Sequence, residues 1–231
     1  MRNRLITFVC LLMLPSAAMA QYEGSRMSTS TTRMLGEKEG WDTLITFGSC
    51  YAASQRAKAY RFVATEPGTA DEARAYKALF SRSDEPCLGD VSEMSVNFQF
   101  VRGAIAEGLY LKRIPVPANL AARPIPRENV QSVLQTAICY ASQNPAEARW
   151  LIENTSPSSK KEDEAITRLH PRFVACLPPN LPASFSIDTT LLRFRIAEAM
   201  WKLGMVPGQD KAPMPAAQPT AAPPKGQERG D

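Results

Sequence analysis

The stretch VQSVLQTAICYASQN, Val130 to Asn144, decides the fold class. Its apolar residues Val130, Val133, Leu134, Ala137, Ile138 and Ala141 fall at i, i+3, i+4, i+7, i+8 and i+11. That spacing is one stripe of a helix rather than the alternation of a strand. Asn144-Pro145 ends this helix and opens the next, because proline suits a first helical turn and disfavours helix in the residue before it. Downstream, Ala146 to Glu153 reads as a second helix. Ser158 to Leu169 reads as a third, with Glu162, Asp163 and Glu164 early and His170-Pro171 as its end. A fourth, N-capped by Asp188 or a neighbouring hydroxyl, runs through Leu191, Leu192, Phe194, Ile196 and Met200 to about Leu203, where Gly204 stops it.

Working upstream, the same pattern recurs. Cys50-Tyr51-Ala52 is repeated as Cys139-Tyr140-Ala141, and the next cysteine, Cys87 or Cys176, follows after 37 residues in both places, each trailed by leucine. Arg102 and Ile105-Ala106-Glu107 are echoed by Arg193 and Ile196-Ala197-Glu198, and Tyr110 by Trp201. The offset moves from 89 to 91 residues, which a two-residue insertion after the second cysteine explains. Such coincidences at consistent offsets indicate an internal duplication. The helices of the first copy are accordingly expected at Trp41 to Ala53, Arg56 to Ala64, Asp71 to Phe80 and Ser95 to Leu111. Val96 to Val101 alternates like a strand, but its place in the duplicated unit argues helix.

The expected organisation is all-α, with two tandem disulfide-pinned helical repeats of about 90 residues. The repeats occupy residues 39–113 and 127–205, and residues 114–126 form a linker whose Pro115, Pro117, Pro124 and Pro126 should run extended over the surface. Residues 21–38 are polar and rich in Ser and Thr, and 206–231 are rich in Pro and Ala. Neither segment carries enough large apolar side chains to offset the entropy of ordering, so both are expected to be disordered tails.

Residues 1–20 read as a cleavable export signal. Arg2 and Arg4 precede an apolar run from Leu5 to Leu14, Pro15 breaks it, and Ala18-Met19-Ala20 offers a small-x-small cleavage site before Gln21. The run is about half the length needed to cross a bilayer, and no later stretch approaches that length. Cys10 lies inside the run without a small-residue lipobox and reads as an ordinary apolar position. Cleavage lowers the formal charge from +4 to +2 and leaves 211 residues. That near-neutral balance, with Lys160-Lys161 followed by Glu162-Asp163-Glu164, argues against a nucleic-acid partner. The expected location is periplasmic or secreted, with no integral membrane segment after processing.

After export four cysteines remain, an even number in an oxidising compartment and too widely spaced for zinc. Three pairings are open. The pairing Cys50 with Cys87 and Cys139 with Cys176 is preferred, because a duplicated unit most simply carries its own bridge. Cys139 lies nine residues after Val130, about 900° of rotation, which places it opposite the apolar stripe and its bridge on the outer side of that helix.

Catalytic signals are sparse. The one histidine, His170, excludes a two-histidine metal motif within one chain and reads as a helix-end residue near terminal carbonyls. Ser49 lacks the second glycine of a nucleophile elbow and reads as a small packing residue. The recurring Tyr51, Tyr140, Tyr110 and Trp201 read as core rather than as a ligand cleft. No cofactor motif is present, and no catalytic or metal residue is assigned. The sequence therefore points to a noncatalytic binding or scaffolding protein of the cell envelope, whose partner is an envelope protein or polymer. A small hydrolase acting on such a polymer through two carboxylates is the alternative.

The fourth helix of each copy carries the most specific expectation. Between Glu93 and Lys112 the charged residues are Arg102 and Glu107, set among apolar neighbours that imply burial. Their spacing puts them roughly 140° apart, so they do not pair as i,i+4 residues do. Each needs an outside partner. Two arrangements are open: pairing within each copy, or packing across a pseudo-twofold axis with Arg102 meeting Glu198 and Arg193 meeting Glu107.

Overall fold

In a computed structural model the described residues are 37–80, 87, 96–178 and 187–208. They form eight α-helices and no strand. The expected export signal and the tail beyond residue 208 lie outside them, as does the polar segment up to residue 36. Helices α1 (Glu37–Ser54), α2 (Arg56–Ala64), α3 (Ala70–Leu79) and α4 (Phe98–Leu111) precede a 3₁₀ turn at Arg127–Asn129. Helices α5 (Val133–Gln143), α6 (Pro145–Asn154), α7 (Lys160–Ala175) and α8 (Thr189–Lys202) follow it.

Local chemistry sets the helix starts. Thr69, Asn97, Ser132, Ser159 and Asp188 each accept a backbone N–H of the following turn at α3, α4, α5, α7 and α8, and Pro145 opens α6. The alternating Val96–Val101 patch divides at Asn97, whose side chain caps α4. α1 begins at Glu37, inside the segment expected to be unstructured.

Two helices form the centre. α4 is buried from Phe100 to Tyr110 and α8 from Thr190 to Trp201, so both are covered on every side. α1 packs on α4 and α5 on α8, while α4 and α8 pack on each other. The α1–α4 approach depends on glycine: a Cβ on Gly48 would stand 2.3 Å from the Ala104 backbone, and one on Gly108 would stand 2.6 Å from Gly48 O. Ser49 lies beside this crossing. Tyr51, Tyr140, Tyr110 and Trp201 are all in the core.

Three expectations need correction. α7 does not end at His170-Pro171 but continues to Ala175. Pro171 costs the hydrogen bond to the Thr167 carbonyl, yet both residues are exposed and water can satisfy that oxygen. On the other face Ile166, Leu169, Phe173 and Cys176 are buried and hold the helix down. His170 is therefore an exposed residue within the helix, not a helix-end ligand of carbonyls. Cys139 is not on an outer face either. It is 0% exposed, because α5 is enclosed on all sides from Thr136 to Ala141, the face opposite the stripe included. Finally, the linker is not uniformly extended. It turns at 118–120, and the Ala122 amide donates to the Lys202 carbonyl at 2.8 Å.

Candidate functional site: a buried charge network

The structure joins Cys50 to Cys87 and Cys139 to Cys176, with Cα separations of 5.5 and 5.9 Å. Each bridge ties the first helix of a group of four to the chain just beyond the third. The fourth helices are then left to meet each other, and their charges do so directly.

Arg102 Nη2 lies 2.7 Å from Glu198 Oε1, and its Nε is 3.0 Å from Oε2. Arg193 Nη2 lies 2.7 Å from Glu107 Oε1, with Nε 3.0 Å from Oε2. Both are bidentate pairs that cross between α4 and α8, and both are out of water. Because 102 meets 198 while 107 meets 193, the two helices run in opposite directions about an approximate twofold axis. On that axis position 103 faces its own match, 194. There Gly103 meets Phe194 so closely that a Cβ on the glycine would lie 2.1 Å from the phenylalanine Cβ.

Each guanidinium also closes the end of a neighbouring helix. Arg102 donates to the carbonyls of Phe62, Val63 and Thr65 at 3.3, 2.8 and 2.8 Å, and to Thr65 Oγ1 at 3.0 Å. Arg193 donates to Leu151, Ile152 and Thr155 carbonyls at 3.2, 3.1 and 3.3 Å, and to Thr155 Oγ1 at 2.7 Å. These carbonyls terminate α2 and α6, where unpaired oxygens and the helix dipole favour a cation. A second carboxylate completes each cluster. Glu72 Oε1 is 3.2 Å from Arg102 and Glu162 Oε1 is 3.3 Å from Arg193. Their other oxygens accept the Gly68 and Ser158 amides at 2.7 and 2.8 Å.

Glu72 and the two threonines are not singled out from sequence, and Glu162 reads there only as an early helix acid in a solvated charge run, whereas it is buried. A signal is nevertheless present. Thr65-Glu66-Pro67-Gly68-Thr69-Ala70-Asp71-Glu72 and Thr155-Ser156-Pro157-Ser158-Ser159-Lys160-Lys161-Glu162 share the form T-x-P-x-[ST]-x-x-E, which ends in a capping signature. Their offset is 90, between the 89 of the cysteines and the 91 of the arginines. The extra residue falls where α6 exceeds α2 in length, and the offset is again 89 at Cys87 and Cys176.

The electrostatics of the two ends differ. Burial alone would raise the Glu198 carboxyl, but Arg102, Lys202 and Arg195 outweigh it and hold the group well below the usual carboxylate range. Arg195 reaches Glu198 Oε2 at 3.1 Å and Lys202 reaches Oε1 at 3.2 Å. Glu162 goes the other way: burial raises it, and Arg193 and the Ser158 amide offset this only in part. Away from the axis, burial together with Glu147 pushes the Tyr140 phenol up, and its hydroxyl donates to Glu147 Oε2 at 2.9 Å. Arg172 holds the same oxygen at 2.9 Å.

Among the described residues no group of three His, Cys, Asp or Glu side chains is placed to hold a metal ion, and no helix is long and apolar enough to cross a membrane. No protein-family profile matches the chain, and no curated protein or solved structure matches it.

Proposed function

We propose that the chain is an exported, duplicated helical scaffold of the cell envelope that binds a protein or polymer partner without chemical turnover. The observation that carries this reading is how its buried acids are used. Glu72, Glu107, Glu147, Glu162 and Glu198 are the buried carboxylates among the described residues, and each is engaged by an arginine. A carboxylate hydrolase needs one acid kept protonated and one free base facing a substrate. Here the acid with a raised pKa, Glu162, lies enclosed beneath Arg193 and closes a helix start. Charge is spent on fixing helix ends and on locking the two halves across the axis, which makes a rigid body.

The duplication enters the same reading. Matched disulfides, matched arginine clusters and matched caps are what two copies of one unit would produce. Export is supported by the reading of residues 1–20 and by bridges that persist in an oxidising compartment. Protein recovered from the envelope fraction should have the intact mass of a chain starting at Gln21 with two disulfides. Incubation of that protein with labelled envelope polysaccharide and peptidoglycan should give retention or no interaction, with no soluble product. Release of soluble label by the pure protein, abolished by substituting exposed acids, would overturn the noncatalytic reading in favour of the hydrolase.

A further inference from the structure

The two bridges close loops of equal length in unequal surroundings. Cys139 and Cys176 are 0% and 1% exposed, and the Gln143 amide nitrogen stands 3.3 Å from Cys139 Sγ. At the other bridge Cys50 is partly exposed on the last turns of α1, and the matched neighbour is Ser54, an exposed residue. Its Oγ lies 3.3 Å from Cys87 Sγ and 3.8 Å from Cys50 Sγ. The same hydroxyl donates to the Cys50 carbonyl at 2.9 Å, so rotation about its C–O bond is enough to turn the proton onto the Cys87 sulfur.

We propose that Cys50–Cys87 is a thiol–disulfide exchange site, attacked at Cys50 Sγ by a thiolate of a dithiol reductant while Cys87 leaves toward Ser54. Exchange is governed by access to the attacked sulfur and by the stability of the leaving thiolate. Each bridge has a donor 3.3 Å from one of its sulfurs, so access is what sets this bridge apart. The incoming thiolate forms a mixed disulfide with Cys50 as the bond to Cys87 breaks. The electron pair departs on Cys87 Sγ, which takes a hydrogen bond from Ser54 and then a proton from water. The second thiolate of the reductant attacks its own sulfur in the mixed disulfide and releases Cys50 as a thiolate, which is protonated in turn. The bridge gains two electrons and the dithiol becomes a disulfide. α1 is thereby released from the chain between α3 and α4, while the second half stays bridged. The inference does not depend on what the scaffold binds.

The test uses the full oxidised protein under native conditions. Glutathione traps the first step, dithiothreitol carries both, and maleimide quenching followed by peptide mass mapping locates each sulfur. Glutathione should be found on Cys50 with maleimide on Cys87, and this bridge should open at least about tenfold faster than Cys139–Cys176. Ser54→Ala should slow that opening by about threefold through the leaving group, with Ser54→Thr restoring it. Neither variant should alter the rate at the second bridge or the denaturation midpoint. Equal rates at the two bridges, glutathione on Cys87, or an unchanged rate in Ser54→Ala would each overturn the assignment.

Discussion

The first and last four helices solve the same problem with the same parts, and they differ most where the parts cross. Glu198 on α8 is gripped by Arg102, Arg195 and Lys202, whereas its counterpart Glu107 on α4 is met by Arg193. The positions matching Arg195 and Lys202 are Ala104 and Leu111. Gln99, near the start of α4, takes the far side of Arg195 at 3.0 Å. The lesson is that a shared backbone arrangement fixes where charge must be compensated, while the surplus of cations decides how costly each carboxylate is to lose.

That difference sets the largest expected effect. Glu198→Gln leaves Arg102 with Glu72 and takes the carboxylate from Arg195 and Lys202 as well, and should cost about 3 to 5 kcal/mol. Glu107→Gln leaves Arg193 with Glu162 and should cost about 1 to 3 kcal/mol, as for a lost hydrogen bond to a charged group. Urea midpoints of the oxidised proteins measure both, and equal losses would show that Arg195 and Lys202 contribute nothing. The pH dependence sharpens the contrast. The Glu198 pKa is lowered in the folded protein, so its contribution is present above the unfolded value, about 4.3, and lost as pH falls through the folded value. The Glu162 pKa is raised, so its contribution is present below about 4.3 and lost as pH rises through the folded value. The penalty for Glu198→Gln should therefore shrink on acidification from pH 7, and that for Glu162→Gln should shrink on going up in pH.

A smaller effect belongs to the axis itself, where one residue faces its own match. Gly103→Ala places a Cβ against the Phe194 Cβ. No flexible tip is there to yield, and α4 and α8 must separate at about 1 to 3 kcal/mol. The paired exchange Gly103→Phe with Phe194→Gly keeps one large and one absent side chain at the crossing, and it should recover most of what Phe194→Gly alone loses. Recovery will be incomplete to the extent that Trp41, which packs edge-on against both Phe100 and Phe194, stands on one side only. Thermal melts of the four proteins decide the question, and no recovery would mean that the approximate twofold does not extend to packing.

Much of this fold is legible in the chain because it rests on local signals. Helix starts coincide with Ser, Thr, Asp, Asn and Pro, and the 37-residue cysteine interval occurs twice. The apolar flanks of Arg102 and Glu107 imply buried charge before any partner is known. What sequence leaves open is the choice between partners in the same group of four helices and in the other, since Arg102 and Arg193 have both. The misread features share one cause. Burial of Cys139 on the face opposite the stripe, and the passage of α7 through Pro171, depend on what lies around the helix rather than on its own periodicity. The T-x-P-x-[ST]-x-x-E segments are hard to see in the chain because their offset of 90 matches neither the 89 of the cysteines nor the 91 of the arginines.

The smallest effect isolates backbone strain from contacts. At the end of α8, Gly204 takes φ +70° and the Met205 amide bonds back to the Met200 carbonyl at 3.0 Å. That is the closing geometry for which glycine is suited. At the end of α4 the matched residue is Arg113, which takes φ +55° while Ile114 bonds back to Leu109 at 2.9 Å. The start of the third helices shows the reverse allocation: Gly68 has φ +80° where Ser158 has +57°. Each half thus carries one glycine and one strained side chain at equivalent turns. Arg113 and Ser158 are exposed. Replacing either by glycine removes the left-handed penalty but adds freedom to the unfolded chain, so a net gain of about 0.5 to 1 kcal/mol is expected. Gly204→Ala is the reciprocal case. Its Cβ would meet only Val116 at an ordinary 4.0 Å, so a loss of about 1 kcal/mol would be conformational. If Arg113→Gly destabilises instead, the Arg113 guanidinium lying over Gly208 contributes more than the strain costs, and the two helix ends are not energetically equivalent.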